Sequence, residues 1–231
     1  MQAPGFYPGY DLIAQQGAWD AATRKLVLQR LAPPPPLRFF AAAEAALLSA
    51  VCDRMLPQSD RPADRRIPIV PVIDQRLAAG RIPGYRYADM PPDGEAHRLG
   101  LQAIAAMAEH LYHCDFGRLD GRQQDAVLLS IHDGHPHAAA AIWARMSVVR
   151  YWRLLLDDVL TAYYAHPWAW EEIGFGGPAY PRGYMRLARG QREPWERPER
   201  RHPFHAPPDS LSGDFTPLAE AGPCWPRKSP R

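Results

Sequence analysis

Apolar residues in this chain recur at helical spacing, punctuated by prolines and glycines. The longest such pattern, Met146 to Tyr164, belongs to a predicted helix from about Ala138 to Tyr164. Val148, Trp152, Leu155, Leu156, Val159 and Tyr163 share one broad face, with Asp157 and Asp158 turned elsewhere. No sustained apolar–polar alternation demands a strand, so the core must be built by packing helix on helix. The expected fold is all-α. It is a single helical domain of about five to six helices, with long, irregular, proline-rich extensions at both ends.

Local signals place the other elements. Residues 1–18 read as an irregular arm, and Asp20 caps a short helix to Leu31 whose partial stripe is Leu26, Leu28 and Leu31. Pro33–Pro36 form a stiff polyproline spacer. Ala41–Met55 is an alanine-rich helix with Leu47, Leu48, Val51, Cys52 and Met55 on its apolar side, and it stops before Pro57. A charged loop, SDRPADRR, leads to a helix near Pro71–Ala79 that Gly80 ends. Residues 81–93 are too rich in proline and glycine for regular structure. A helix over Glu95–His113 follows, then a turn, then a helix that Asp120 caps with Gln123 at capping-box spacing and Gly134 ends. The expected organisation is 1–38, arm with short helix and spacer; 39–188, helical core; and 189–231, an extended Pro/Arg-rich tail. The tail's Trp195, Phe204, Phe215 and Trp225 favour draping over a surface.

Composition narrows the function classes. A formal charge of +2 compels no nucleic-acid partner, and no long uncharged apolar run supplies a membrane span. Cys52, Cys114 and Cys224 are odd in number, widely spaced and without a CxxC, so thiol–zinc, thioredoxin-like and c-haem signatures are lacking. Cys52 and Cys114 fall within helical patterns and are expected as buried free thiols. The N-terminus shows no export signal of either kind, so a cytoplasmic location is expected, or a periplasmic one if the chain is exported with a partner.

Two stretches are candidates for function. Tyr163 to Tyr184 (YYAHPWAWEEIGFGGPAYPRGY) mixes seven aromatics with glycines and prolines and reads as an aromatic loop presented by the long helix. Its contact residues are Tyr164, His166, Trp168, Trp170, Phe175, Gly176, Gly177, Tyr180, Arg182 and Tyr184; the alternative is a lid over the chain's own core. Its glycines follow no strand and open no helix, so a dinucleotide loop is not indicated. The second stretch, His132-Asp133-Gly134-His135-Pro136-His137, has the residue types of a zinc, iron or manganese site. It equally fits a helix C-terminus, where His favours the macrodipole and Gly ends the turn. The metal reading makes the chain an independent metal-dependent enzyme using His132, Asp133, His135 and His137. GxSxG, HExxH and GxxxxGK[ST] are absent.

Several segments carry a family resemblance: CDRMLPQSD (52–60), VPVIDQRLAAG (70–80), FGRLDGRQQDAVL (116–128), DDVLTAYYAHPWAWEEIGFGGPAYPRGY (157–184) and EPWE (193–196). Together they resemble the gluconate 2-dehydrogenase subunit 3 family over residues 39–196. The resemblance implies an all-α, non-catalytic small subunit with no cofactor of its own and no catalytic activity alone. The implied partner is a large FAD-containing dehydrogenase of the glucose–methanol–choline (GMC) type that oxidises sugars, sugar acids or polyols. It also implies a cytochrome c subunit further along the electron path, and a role in maturation and stability of the flavoprotein. Family members often carry a twin-arginine signal, and none is visible here.

Overall fold

Eight α-helices account for the structure, a computed structural model that describes residues 10–177. These residues lie in the first of two units, Met1–Arg197. In order they are α1 (Ala21–Leu31), α2 (Ala42–Met55), α3 (Ile69–Ala78), α4 (Asp93–Tyr112), α5 (Gly121–His132), α6 (Ala140–Trp143), α7 (Val148–Tyr164) and α8 (Pro167–Ile173). Short 3-10 turns occur at Ile13–Ala18, Ala63–Arg65 and Phe116–Arg118, and no strand occurs among the described residues. The core is all-α.

Helix starts follow side-chain chemistry. Asp120 accepts from the backbone N–H of Arg122 and Gln123, both at 2.9 Å, and Gln123 Oε1 accepts from the Asp120 N–H at 3.0 Å. That reciprocal box satisfies donors a helix N-terminus leaves orphaned. Asp20 caps α1 by accepting from Thr23 N–H at 2.6 Å. The inward face of α1 is nevertheless Thr23 and Val27; of the expected leucine stripe Leu31 packs inward, half-buried, while Leu26 and Leu28 are exposed. α3 begins at Ile69, with Pro71 in its first turn, where a missing N–H leaves no bond unmade.

The expected continuous helix from Ala138 to Tyr164 is broken. Ala139 is left-handed (φ 65°), α6 ends at Trp143, Met146 turns into the core, and Ser147 restarts the chain as the N-cap of α7. Its hydroxyl accepts from Arg150 N–H at 3.4 Å. The break lets α6 lie on α4 while α7 packs across α3, α4 and α5. The longest helix among the described residues is thus α4, at 20 residues.

The main core gathers around α7, whose buried residues Tyr151, Leu155, Val159 and Ala162 share one cluster with Leu48 and Val51 of α2, Ile73 of α3, Ile104 and Met107 of α4 and Val127 and Ile131 of α5. Tyr151 is fully buried, whereas Val148, Trp152 and Leu156 are only half-buried. Asp158, expected to face away, turns inward. It accepts from Arg76 Nη2 at 2.5 Å and from His97 Nε2 at 2.7 Å, while Arg76 Nη1 also reaches Asp93 at 2.7 Å. These bonds join α3, α4 and α7. Cys52 is buried, its thiol pushed up to about 12 by burial first and Asp53 second. Cys114 instead follows α4 and is half-buried, because the helix stops at left-handed His113.

Asp74 ties the N-terminal part to this core. Its carboxylate, 2% exposed, accepts from the backbone N–H of Arg38 (2.7 Å), Phe39 (2.9 Å) and Phe40 (2.8 Å). Burial alone would raise its pKa, but those bonds from Phe40, Arg38 and Phe39 outweigh it and hold the carboxyl below its ordinary range. The polyproline spacer is thereby fastened at its far end.

Candidate partner-binding site

The aromatic stretch after α7 contains a helix that the sequence reading took for loop. His166 has extended backbone and its Nδ1 accepts from Trp168 N–H at 3.3 Å, Pro167 supplies the pre-set first helical φ, and Gly174 closes α8 in the left-handed region (φ 68°). The signal was there: a capping residue before proline, then WAWEEI, then glycine.

Much of the stretch faces the chain's own interior. Trp170 is 4% exposed and forms a second core with Leu12, Trp19 and Val27. Its Nε1–H donates to Tyr164 O at 2.5 Å and Arg30 lies 5.4 Å from its ring centre. Gly177 is buried with φ 86°, and a side chain there would stand at contact distance from Trp170, Trp19 and Leu12. Trp170, His166 and Gly177, expected among the contact residues, are buried within this chain. α8 clamps the arm, Leu12 and Trp19, onto α1.

Charged residues brace α8 from the other side. Arg61, nearly buried, pairs with Glu172 and donates to Tyr163 Oη at 3.3 Å, while Tyr163 donates to Glu172 Oε2 at 3.0 Å. Arg65 stacks 4.7 Å from the Trp168 ring centre and lies 3.4 Å from Glu171 Oε2. Glu171 Oε1 in turn accepts from Leu12 N–H at 3.3 Å. Burial raises the Glu171 carboxyl, and outweighs the Leu12 bond and the nearby Arg65. Arg30 Nη1 donates to Ala165 O at 2.9 Å. His166 sits among these guanidinium groups; burial first, then Arg61, Arg65 and Arg30, push its pKa down to about 4. It is held neutral as an N-cap acceptor. An open cleft of about 530 Å³ runs between the arm and α8, with Arg65 and Trp168 on one wall and Ile13 and Leu31 on the other.

Exposed apolar residues stand at the end of α7 and at the end of α8 and just beyond it. Tyr164 is 48% exposed, Ile173 49% and Phe175 44%, with Trp168 half-buried and Gly176 beside them in the chain. Phe175 is steadied edge-on against Trp170 at 5.4 Å between ring centres, and its N–H donates to Trp170 O at 2.9 Å. Tyr180, Arg182 and Tyr184 lie outside the described residues. Arg61 and Asp74 were missed as structural determinants, because a charged residue in a loop or helix carries no mark of the partner it will bind.

The histidine stretch lies at the end of α5. His132, Asp133, His135 and His137 are all exposed; His132 Nδ1 donates to Asp133 Oδ1 at 2.7 Å, and its ring packs edge-on to Trp152 at 5.4 Å. Gly134 (φ 77°) closes the helix, and the His135 N–H donates to Ser130 O at 2.8 Å. Among the described residues no group of three or more His, Cys, Asp or Glu side chains is arranged to hold a metal ion.

Comparison with known families matches residues 42–177 to gluconate 2-dehydrogenase subunit 3. The chain belongs to the gluconate 2-dehydrogenase subunit 3 family. The match runs from the first residue of α2 to Gly177, so this subunit-3 chain shares with its family the main core and α8. The arm and α1, which complete the second core, lie outside the match. No curated protein and no solved structure matches the chain. None of its described helices is long and apolar enough to cross a membrane.

Proposed function

We propose that this chain is a non-catalytic small subunit that binds a large FAD-dependent, GMC-type dehydrogenase and supports its maturation and stability. That dehydrogenase oxidises a sugar, sugar acid or polyol, and a cytochrome c subunit carries its electrons onward. The observation that carries the reading is the outward set Tyr164, Trp168, Ile173 and Phe175, on a braced helix, in a chain whose family is a dehydrogenase subunit. Rigid aromatic side chains held by a scaffold contribute contact area at low entropic cost, and such residues dominate interface energetics. Tyr180, Arg182 and Tyr184 follow in the sequence and are proposed as further contact residues.

The flavin belongs to the partner. Dinucleotide phosphates are held where a strand runs through a glycine turn into a helix. Here Gly174, Gly176 and Gly177 follow α8 and open no helix among the described residues. His166, neutral and engaged in its cap, is a structural residue.

The test is co-expression with a large FAD-dependent, GMC-type dehydrogenase from the same genome, followed by affinity pull-down and an absorbance spectrum. A yellow, stoichiometric complex whose flavin content falls when this chain is omitted is expected. A flavoprotein that loads and purifies equally well without the chain would overturn the reading.

A further inference from the structure

The segment between α3 and α4 is irregular, yet it is fastened at both ends. At its start, Arg76 Nη1 donates to Arg81 O at 2.9 Å, and Arg76 is itself anchored on Asp93 and Asp158. At its end, Arg150 of α7 pairs with Asp89 and lies 3.9 Å from the Tyr87 ring centre, while Ser147 N–H donates to Asp89 O at 3.3 Å. Between these staples Gly84 turns the chain at φ 99°. The two tyrosines meet edge-to-face, Tyr85 and Tyr87 at 5.5 Å between ring centres. This geometry does not bury them: Tyr85 is 66% exposed, Ile82 60% and Tyr87 44%. Arg81 and Arg86 are exposed beside them, and no described carboxylate pairs with either.

A loop that existed only to connect two helices would need neither the double fastening nor the outward aromatics. Tyrosine and arginine are the residue types that anchor protein interfaces, and a pair already stacked and stapled loses little freedom on binding. We propose that residues 81–87 form a second docking surface, separate in sequence from α8, that takes a carboxylate-bearing face of another subunit of the dehydrogenase. Tyr85, Tyr87 and Ile82 supply the apolar contact, and Arg81 and Arg86 the charge-assisted bonds to Asp or Glu. Anionic lipid is disfavoured as the occupant: Asp89 lies in the same segment, Asp157 stands near Tyr85, and lipid surfaces are held by clusters of about four or more cations. This inference rests on the subunit reading above.

The test replaces Tyr85 with photoreactive p-benzoylphenylalanine in the full chain, co-expressed with the dehydrogenase, and maps the cross-linked peptide by mass spectrometry. A cross-link to an Asp- or Glu-bearing peptide of another dehydrogenase subunit is expected. Its yield should fall about tenfold with Arg81→Glu/Arg86→Glu and in about 1 M salt, with the thermal midpoint of the variant unchanged. A cross-link confined to lipid or to a second copy of this chain, no cross-link, or a yield indifferent to charge reversal would overturn it. Flavoprotein in the same eluate separates the two readings. Complex present without the Tyr85 cross-link sinks only this inference, and absence of complex sinks both.

Discussion

The Tyr151 ring occupies the space where a side chain on Gly100 would stand. Any Cβ at Gly100 would overlap the ring and its hydroxyl, so α4 and α7 approach as closely as they do because α4 has no side chain there. Tyr151 is fully buried, and its hydroxyl lacks a hydrogen-bond partner among the described residues. Replacing Gly100 with Ala should therefore destabilise the chain by about 1–3 kcal/mol through overpacking, even though alanine is the better helix former by about 1 kcal/mol. Urea denaturation of the full chain measures this, and a midpoint at or above that of the unaltered protein would refute the contact. Tyr151→Phe removes an unpaired buried hydroxyl and should be neutral or mildly stabilising.

Asp74→Asn should cost about 1–3 kcal/mol, because an amide replaces a charged acceptor of backbone bonds and turns its own N–H groups toward donors. The folded carboxyl sits below its ordinary value, so the unfolded chain takes up the proton first as pH falls. The stabilisation is complete above the unfolded pKa of about 3.9 and is lost as pH drops through the lower folded value. Stability against pH should be flatter below about pH 4 in the Asn variant than in the unaltered chain. Parallel acid limbs in the two proteins would contradict this.

His166 gives a separate, higher window. Its folded pKa is about 4 against 6.5 for the free side chain, so between those values the unfolded chain binds a proton that the folded chain excludes. Stability should fall as pH decreases from about 6.5 to 4, by up to about 3 kcal/mol. His166→Asn keeps an acceptor for the Trp168 N–H while removing the titration. It should retain stability at pH 7 and lose most of that slope, as thermal melts at stepped pH would register.

Trp170 and the outward residues should separate cleanly. Trp170→Ala empties the second core around Leu12, Trp19 and Val27 and should cost about 3–5 kcal/mol, loosening the arm. Tyr164→Ala and Ile173→Ser lie on exposed positions and should shift stability by about 0.5 kcal/mol or less while weakening flavoprotein pull-down about tenfold or more. If Trp170→Ala left the melting curve unchanged, the clamp between α8 and the arm would be wrong. Unchanged pull-down by Tyr164→Ala/Ile173→Ser would remove those residues from the interface.

The helical class, the Asp20 and Asp120 caps, and the stops at Met55, Gly80 and Gly134 could all be read from the sequence, because each depends on residues within one or two turns. The family could be read too, from motifs that stay contiguous along the chain. The break at Ala139 to Ser147 could not, since apolar spacing continues through it and only the need to pack α6 on α4 and α7 across α3, α4 and α5 forces the chain to turn. The same limit applied to the aromatic stretch. Trp168, Trp170 and Phe175 look alike in sequence, yet Trp170 is inside because Leu12 and Trp19, more than a hundred residues earlier, close over it. Asp158 and Asp74 likewise acquire their meaning only from Arg76, His97 and the backbone of Phe39 and Phe40, brought to them by folding. Local chemistry, acting over a few residues, fixed which helices form. Which aromatic is core and which is surface was decided by long-range burial, because exposure belongs to the assembled surface and not to the residue.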